Sequence, residues 1–307
     1  MPGCPLPKNT SRLRKTLALV AAAAAVPLAL AGCAGNAQTP GASAGPVQVT
    51  GTQTVDADLQ ALVDTGTRRY AAYVKDQTDQ LLSGTKAFAE AYAAGDAAKA
   101  RGLYAATRMH WERIEPVAES FGDLDPKLDA READLGPGQE WTGWHRAEKD
   151  LFPPSGYTPL TTAERAAIAT QLVSDTQDLA RRTRTVELSA DKLGNGAKEL
   201  LDEVATGKVT GEEELWSHTD LWDFQANVDG ARIAFESLLP VLQRKDPALA
   251  DVLKEKFAAL QAGLKKHSAG DGFAYYNELS QADIQQLASL VDALGEPLAR
   301  LTSAVAL

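Results

Sequence analysis

The chain has 307 residues, with Lys+Arg at 31 against Asp+Glu at 41, a net charge of −10, 44% hydrophobic residues and two cysteines. That is enough for one large domain or two ordinary ones with a sizeable core. The acidic balance lacks the phosphate-neutralising charge of a nucleic-acid binder, and two cysteines cannot make a disulfide framework or a zinc ribbon; no Gly-rich phosphate loop, GxSxG elbow or HExxH is present.

Residues 1–32 read as an export signal. Lys8, Arg12, Arg14 and Lys15 form a basic leader without an acidic residue, and Thr16 to Ala31 is an apolar run too short for a comfortable bilayer span. It ends in Leu30-Ala31-Gly32-Cys33, the form of a bacterial lipobox, in which Cys33 becomes the diacylglyceryl-modified N-terminus; a plain secretory signal is the alternative. Cys4 leaves with the signal, and losing its four positive charges takes the net charge from −10 to −14. After Cys33, residues to 54 are mostly Gly, Ala, Pro, Thr and Gln, a flexible tether that cannot bury a core. The expected location is the cell envelope, lipid-anchored to the outer face of the cytoplasmic membrane.

From Val55 onward apolar residues recur at helical spacing, and no stretch alternates convincingly in period two. The first predicted helix carries Leu59, Leu62, Val63, Tyr70, Tyr73, Val74 and Leu81 on one stripe and ends near Gly95. Asp96 caps a second that runs to Glu115 or slightly beyond, with Pro116 perturbing its last turn. Asp125-Pro126 reads as N-cap and first position of a short helix carrying Leu128 and Leu135, broken by Gly136-Pro137-Gly138. Another short helix holds Trp141 to about Phe152. Longer ones follow over 162–188, 192–204, 221–243, 248–267 and 282–305, with a loop at 207–211 and a break at Gly270-Asp271-Gly272. The expected fold is all-α: residues 55–307 as an antiparallel helical bundle, two four-helix-type bundles packed together.

Several ionisable residues fall on apolar stripes. Trp141, Trp144, His145 and Glu148 are spaced i, i+3, i+4 and i+7, so an imidazole and a carboxylate share a helix face with two tryptophans. Two readings stand: both groups reach one metal ion, or they form a hydrogen-bonded pair in an aromatic core. Trp111, Ile114, Glu115 and Ala118 repeat the spacing, which brings in a second inward carboxylate. Glu112 lies off that stripe, four residues after Arg108, and reads as half of a solvated ion pair. Asp129 and Glu132 form an acidic i, i+3 pair whose simplest reading is a solvated face. Gln77 and His110 read as core or boundary residues, Glu212-Glu213-Glu214 as the acidic first turn of a helix, His218 and Asp220 as capping residues, and His267 as a helix C-terminal cation.

These residues also carry a family resemblance. Gly143-Trp-His-Arg-Ala-Glu148 matches the GxHxxE motif of imelysin-like proteins. The blocks His110 to Pro116, Phe121 to Glu132 and His218 to Gly230 are similar to the corresponding blocks of the EfeO/EfeM family, in the same order along residues 55–307.

The resemblance implies an extracytoplasmic, helical component of a bacterial iron-uptake system, with a membrane iron permease and a dye-decolorising haem peroxidase as partners. Many relatives carry an N-terminal cupredoxin domain, for which there is no room between Cys33 and Val55; the short form is expected, and copper binding or metal oxidation by the longer proteins is not carried over. It implies a cation site of His145, Glu148, Glu115 and Asp129, with Glu112 as a further candidate, for iron (Fe2+ or Fe3+) or another divalent cation such as Zn2+. Carboxylates with one imidazole suit such hard or borderline ions. A binding protein rather than an enzyme is expected; a metallopeptidase and a cation-bridged acidic-polysaccharide binder are the alternatives.

Overall fold

Helical periodicity translates into ten α-helices among the residues that the computed structural model describes, 57–307. The expected signal, Cys33 and tether lie outside them. The helices are α1 (Ala57–Ala93), α2 (Ala97–Glu112), α3 (Leu124–Asp129), α4 (Trp144–Leu151), α5 (Thr162–Arg182), α6 (Ala190–Thr206), α7 (Asp220–Lys245), α8 (Pro247–Lys265), α9 (Gln281–Ala299) and α10 (Leu301–Val305). Their starts follow local chemistry. Asp96 and Asp246 accept the backbone N–H of Lys99 and Leu249, and Thr161/Glu164 and Ser280/Asp283 form capping boxes.

α1 packs against α2, α5 and α7, while α6, α7, α8 and α9 pack on one another. The two expected four-helix groups are therefore present but share α7 as a common wall. That role explains its sequence: Phe224, Val228, Ala231, Phe235 and Leu238 are buried along one helix that has little outward face. One contiguous apolar core runs through both groups.

Local expectations shift at five places, one of them α5, which ends at Arg182 rather than at 188. α2 stops at Glu112, and a 3-10 helix over Glu115–Phe121 replaces its last turn, because Pro116 has no N–H to continue the ladder. The helix expected from Asp125 starts two residues earlier with Asp123 as N-cap, and leaves Leu135 outside. α4 starts at Trp144, so Trp141 is not on its stripe. The last predicted helix breaks at Arg300 just after Pro297. A pair of two-residue strands, Ser268–Ala269 with Gly272–Phe273, turns around Gly270-Asp271.

Candidate metal centre

The start of α4 is set by Gly143. Its φ is +86°, and a Cβ there would lie 2.3 Å from the Leu128 carbonyl oxygen, so only glycine lets α4 begin against the end of α3. Trp144 then inserts among Phe88 and Tyr104, with ring centroids 4.8 and 5.9 Å away. This anchoring brings His145, the next residue, beside Asp129, the last residue of α3.

His145 and Glu148 are fully buried. His145 Nδ1 lies 3.1 Å from Glu148 Oε2, and Glu148 Oε1 accepts the backbone N–H groups of Trp216 (2.9 Å) and Ser217 (2.8 Å). With Nδ1 engaged, Nε2 points at two further carboxylates, 3.5 Å from Asp129 Oδ1 and 3.6 Å from Glu213 Oε1, and has no hydrogen-bond partner.

Around this histidine runs a buried ionic network. Tyr104, Arg108, Trp111 and Glu112 share the inward face of α2. Arg108 pairs with Asp129, with Glu112 (2.5 Å) and with Glu214 (2.6 Å), and lies 3.7 Å from Asp223. Trp111 donates its indole N–H to Asp129 Oδ2 at 2.9 Å. Lys208 reaches Glu112 at 2.6 Å and Glu115 at 2.8 Å, and Asn227 donates to the same two carboxylates. Glu112, Asp129, Glu148, Glu213, Glu214, Asp220 and Asp223 are all buried, against Arg108, Lys208 and the His145 imidazole. So many carboxylates leave water only if protons or a further cation balance them.

The titration of the cluster records that imbalance. Burial, then the Glu148 carboxylate, pushes Glu214 up to about 8 against the pull of Arg108. Burial and Glu214 hold Asp223 well above the carboxylate range, and burial lifts Asp220 to about 6. Burial also opposes ionisation of Glu213, Asp129 and Glu148, but nearby positive charge outweighs it and all three sit below their ordinary values: Lys208 and His145 act on Glu213, Arg108 and His145 on Asp129, and His145 on Glu148. Burial and Arg108 disfavour the imidazolium of His145, yet Glu148 and Glu213 prevail and its pKa is well above that of a free histidine.

A cavity of about 350 Å³ adjoins the cluster, its lining including Glu115, Asp125, Asp129, Glu203, Lys208 and Glu213. Two groups of residues bring one ligand atom each within 4.8 Å of the others: Asp129–His145–Glu213 and His145–Glu148–Glu214. The first uses the unpartnered Nε2 and borders the cavity, whereas in the second Glu148 is already held by His145 and two backbone N–H groups. One imidazole with carboxylate oxygens and no thiolate fits a hard or borderline cation.

Of the residues singled out in sequence, His145, Glu148 and Asp129 come together directly. Asp129 is not on a solvated face: it is buried and paired, while Glu132, across the break after α3, is an exposed partner of Lys149. Glu112 is not solvated either; its pair with Arg108 forms, but on the inward face of α2. Glu115, beyond the end of α2, meets Lys208 and Asn227 rather than His145. His110 pairs with Gln77 at 2.9 Å.

Glu213, Glu214, Lys208 and Asp223 escaped sequence reasoning. Glu212-Glu213-Glu214 is not a helix start: α7 begins only at Asp220, and the preceding segment folds over α4 so that Trp216 and Ser217 cap Glu148. The available signal was Gly207 and Gly211 flanking Lys208, with no apolar stripe resuming before Leu221.

The imelysin family model matches residues 66–301. An EfeM/EfeO family lipoprotein of Staphylococcus haemolyticus is 38% identical over 89% of this chain and 94% of its own. The iron uptake system component EfeO of Escherichia coli K12 is 42% identical over 86% of this chain and 70% of its own. A solved structure assigned as an iron-regulated protein A precursor of Parabacteroides distasonis superposes with a TM-score of 0.64 at 17% identity, covering 84% of this chain and 97% of that one. That last likeness speaks for the fold alone.

Proposed function

The chain belongs to the imelysin family and to the EfeM/EfeO family, and on that premise we propose that it is a lipid-anchored, extracytoplasmic component of an iron-uptake system. It captures iron at His145 Nε2 with Asp129 and Glu213, Glu148 orienting the imidazole from its other nitrogen, and passes the ion to a membrane permease. A haem peroxidase of the same system is the further proposed partner. The observation that carries this reading is the fully buried Nε2, which makes no hydrogen bond and lies 3.5 and 3.6 Å from two carboxylates inside a cluster with more acids than cations. The names of the relatives as lipoproteins and iron-uptake components support the cargo and the anchor. Among the described residues no helix is long and apolar enough to cross a membrane; attachment is proposed through Cys33.

A zinc peptidase at the same place needs three ligands, an open position and a general base. The first group supplies three ligands, but the neighbouring carboxylates are engaged or protonated. Glu148 accepts from two backbone N–H groups, Glu112 is held by Arg108, Lys208 and Asn227, Glu214 is pushed up to about 8 by burial and Glu148, and burial and Glu214 hold the Asp223 carboxyl above the carboxylate range. We therefore read a binding site.

The test is iron accumulation by cells lacking this protein, under iron limitation. Complementation with the wild type is expected to restore it and His145→Ala to fail at equal protein level. Metal-dependent cleavage of unfolded protein substrates by the purified chain would instead favour the peptidase.

A further inference from the structure

Lys208 occupies the place of a cation. Its ammonium lies 2.6 Å from Glu112 Oε2, 2.8 Å from Glu115 Oε2 and 3.9 Å from Glu213 Oε1, and its side chain is 3% exposed. The same Glu213 oxygen faces His145 Nε2 at 3.6 Å, so one carboxylate is shared between the ammonium and the unpartnered imidazole nitrogen. We propose that Lys208 is a tethered competitor for the cargo: its ammonium balances the carboxylates in the metal-free protein and is displaced when a multivalent cation binds. This rests on the metal-binding reading above and adds to it the group that sets affinity and release.

Three features support displacement. The cavity of about 350 Å³ is lined by Lys208 itself and gives the side chain somewhere to go. The backbone need not move: Tyr276 donates its hydroxyl to the Val209 carbonyl and packs against Gly211, whose φ is +75°. An ammonium on a four-carbon stem is also a mobile point charge, unlike the planar fork of Arg108, which Glu112, Asp129 and Glu214 hold at three different nitrogens. Arg108 stays as structure while Lys208 exchanges. A tethered monocation at high effective concentration outcompetes free monovalent ions and yields to ions of higher charge.

The test titrates purified wild type and Lys208→Met with Zn(II) by calorimetry, and labels wild-type lysines with an amine-acetylating reagent with and without saturating Zn(II), read by peptide mass spectrometry. The variant is expected to bind on the order of tenfold tighter or better, since no charge-assisted contacts need be broken. Acetylation of Lys208 is expected to rise severalfold with Zn(II), while the exposed Lys127 is unchanged. If wild type binds Zn(II) but the variant binds no tighter, or Lys208 stays protected at saturation, the competitor role is overturned and the metal centre stands. If neither protein binds Zn(II), the metal reading falls and this inference with it. Should Lys208→Met not fold, wild-type labelling decides alone.

Discussion

His145 Nδ1 and Glu148 Oε2 lie 3.1 Å apart on consecutive turns of α4, and the other Glu148 oxygen takes two backbone N–H groups from the segment before α7. Glu148 thus fixes the imidazole and the covering loop at once, a carboxylate–histidine arrangement that leaves the far nitrogen for a ligand.

Glu148→Gln keeps an acceptor for the Trp216 and Ser217 N–H groups but removes the charge that holds His145. It is expected to weaken metal binding by about 10–100-fold, the usual effect of losing an orienting carboxylate. Glu148→Ala strands both N–H groups and should also cost the metal-free protein about 2–5 kcal/mol in urea denaturation. Equal stability of the two variants would contradict the capping role.

Glu112 and Glu115 separate by burial. Glu112→Ala leaves Arg108 and Lys208 short of a buried counter-charge and is expected to destabilise by about 3–5 kcal/mol. Glu115 has a 13% exposed side chain, and Glu115→Gln should cost roughly 1 kcal/mol or less. Chemical denaturation of the two metal-free variants checks the order.

The acid–base behaviour predicts an inverted stability profile. Glu214 holds its proton up to about 8 in the folded chain, against an ordinary value of 4.5, and Asp220 up to about 6 against 3.8. His145 is raised as well. Where the folded state binds more protons than the unfolded one, stability falls as pH rises. Asp220 acts from about pH 4 to 6 and Glu214 from about pH 4.5 to 8; the His145 contribution is complete below about pH 6.5 and is lost through its higher folded pKa. The lowered Glu213, Asp129 and Glu148 act the other way below about pH 4.5, and His110, lowered to about 4 by burial, opposes the trend up to about pH 6.5, where Asp220 and Glu214 together outweigh it. The melting temperature of the metal-free protein is therefore expected to fall between pH 5 and pH 8, and added metal to recover more of it at pH 8, where fewer protons compete. A melting temperature that rises across this range contradicts the assignment.

Much of the fold was legible because apolar periodicity and caps are local: Asp96 caps α2 as expected, and α5 begins at the expected Thr162. The site was legible only in part. Periodicity sorts residues by polarity, so Arg108 and Glu112 read as the wet side of α2, whereas they are its buried side and compensate each other one turn apart on the same helix. Glu213 and Glu214 lie in a segment without regular structure, and nothing local says that such a segment folds inward. The i, i+3 spacing of His145 and Glu148 survived because it depends on a single turn of helix.

Anchorage is tested apart from the centre. Cys33→Ser is expected to leave the membrane fraction or to remain there only as uncleaved precursor; a membrane-bound variant at mature mass would contradict lipidation.

The central claim is that His145 Nε2 is a metal ligand, and calorimetric titration of wild type and His145→Ala with Fe(II), excluding oxygen, tests it most directly. The account predicts saturable binding by the wild type and loss of high-affinity binding in a variant whose helical circular dichroism is unchanged. Equal affinity in the two proteins would contradict it.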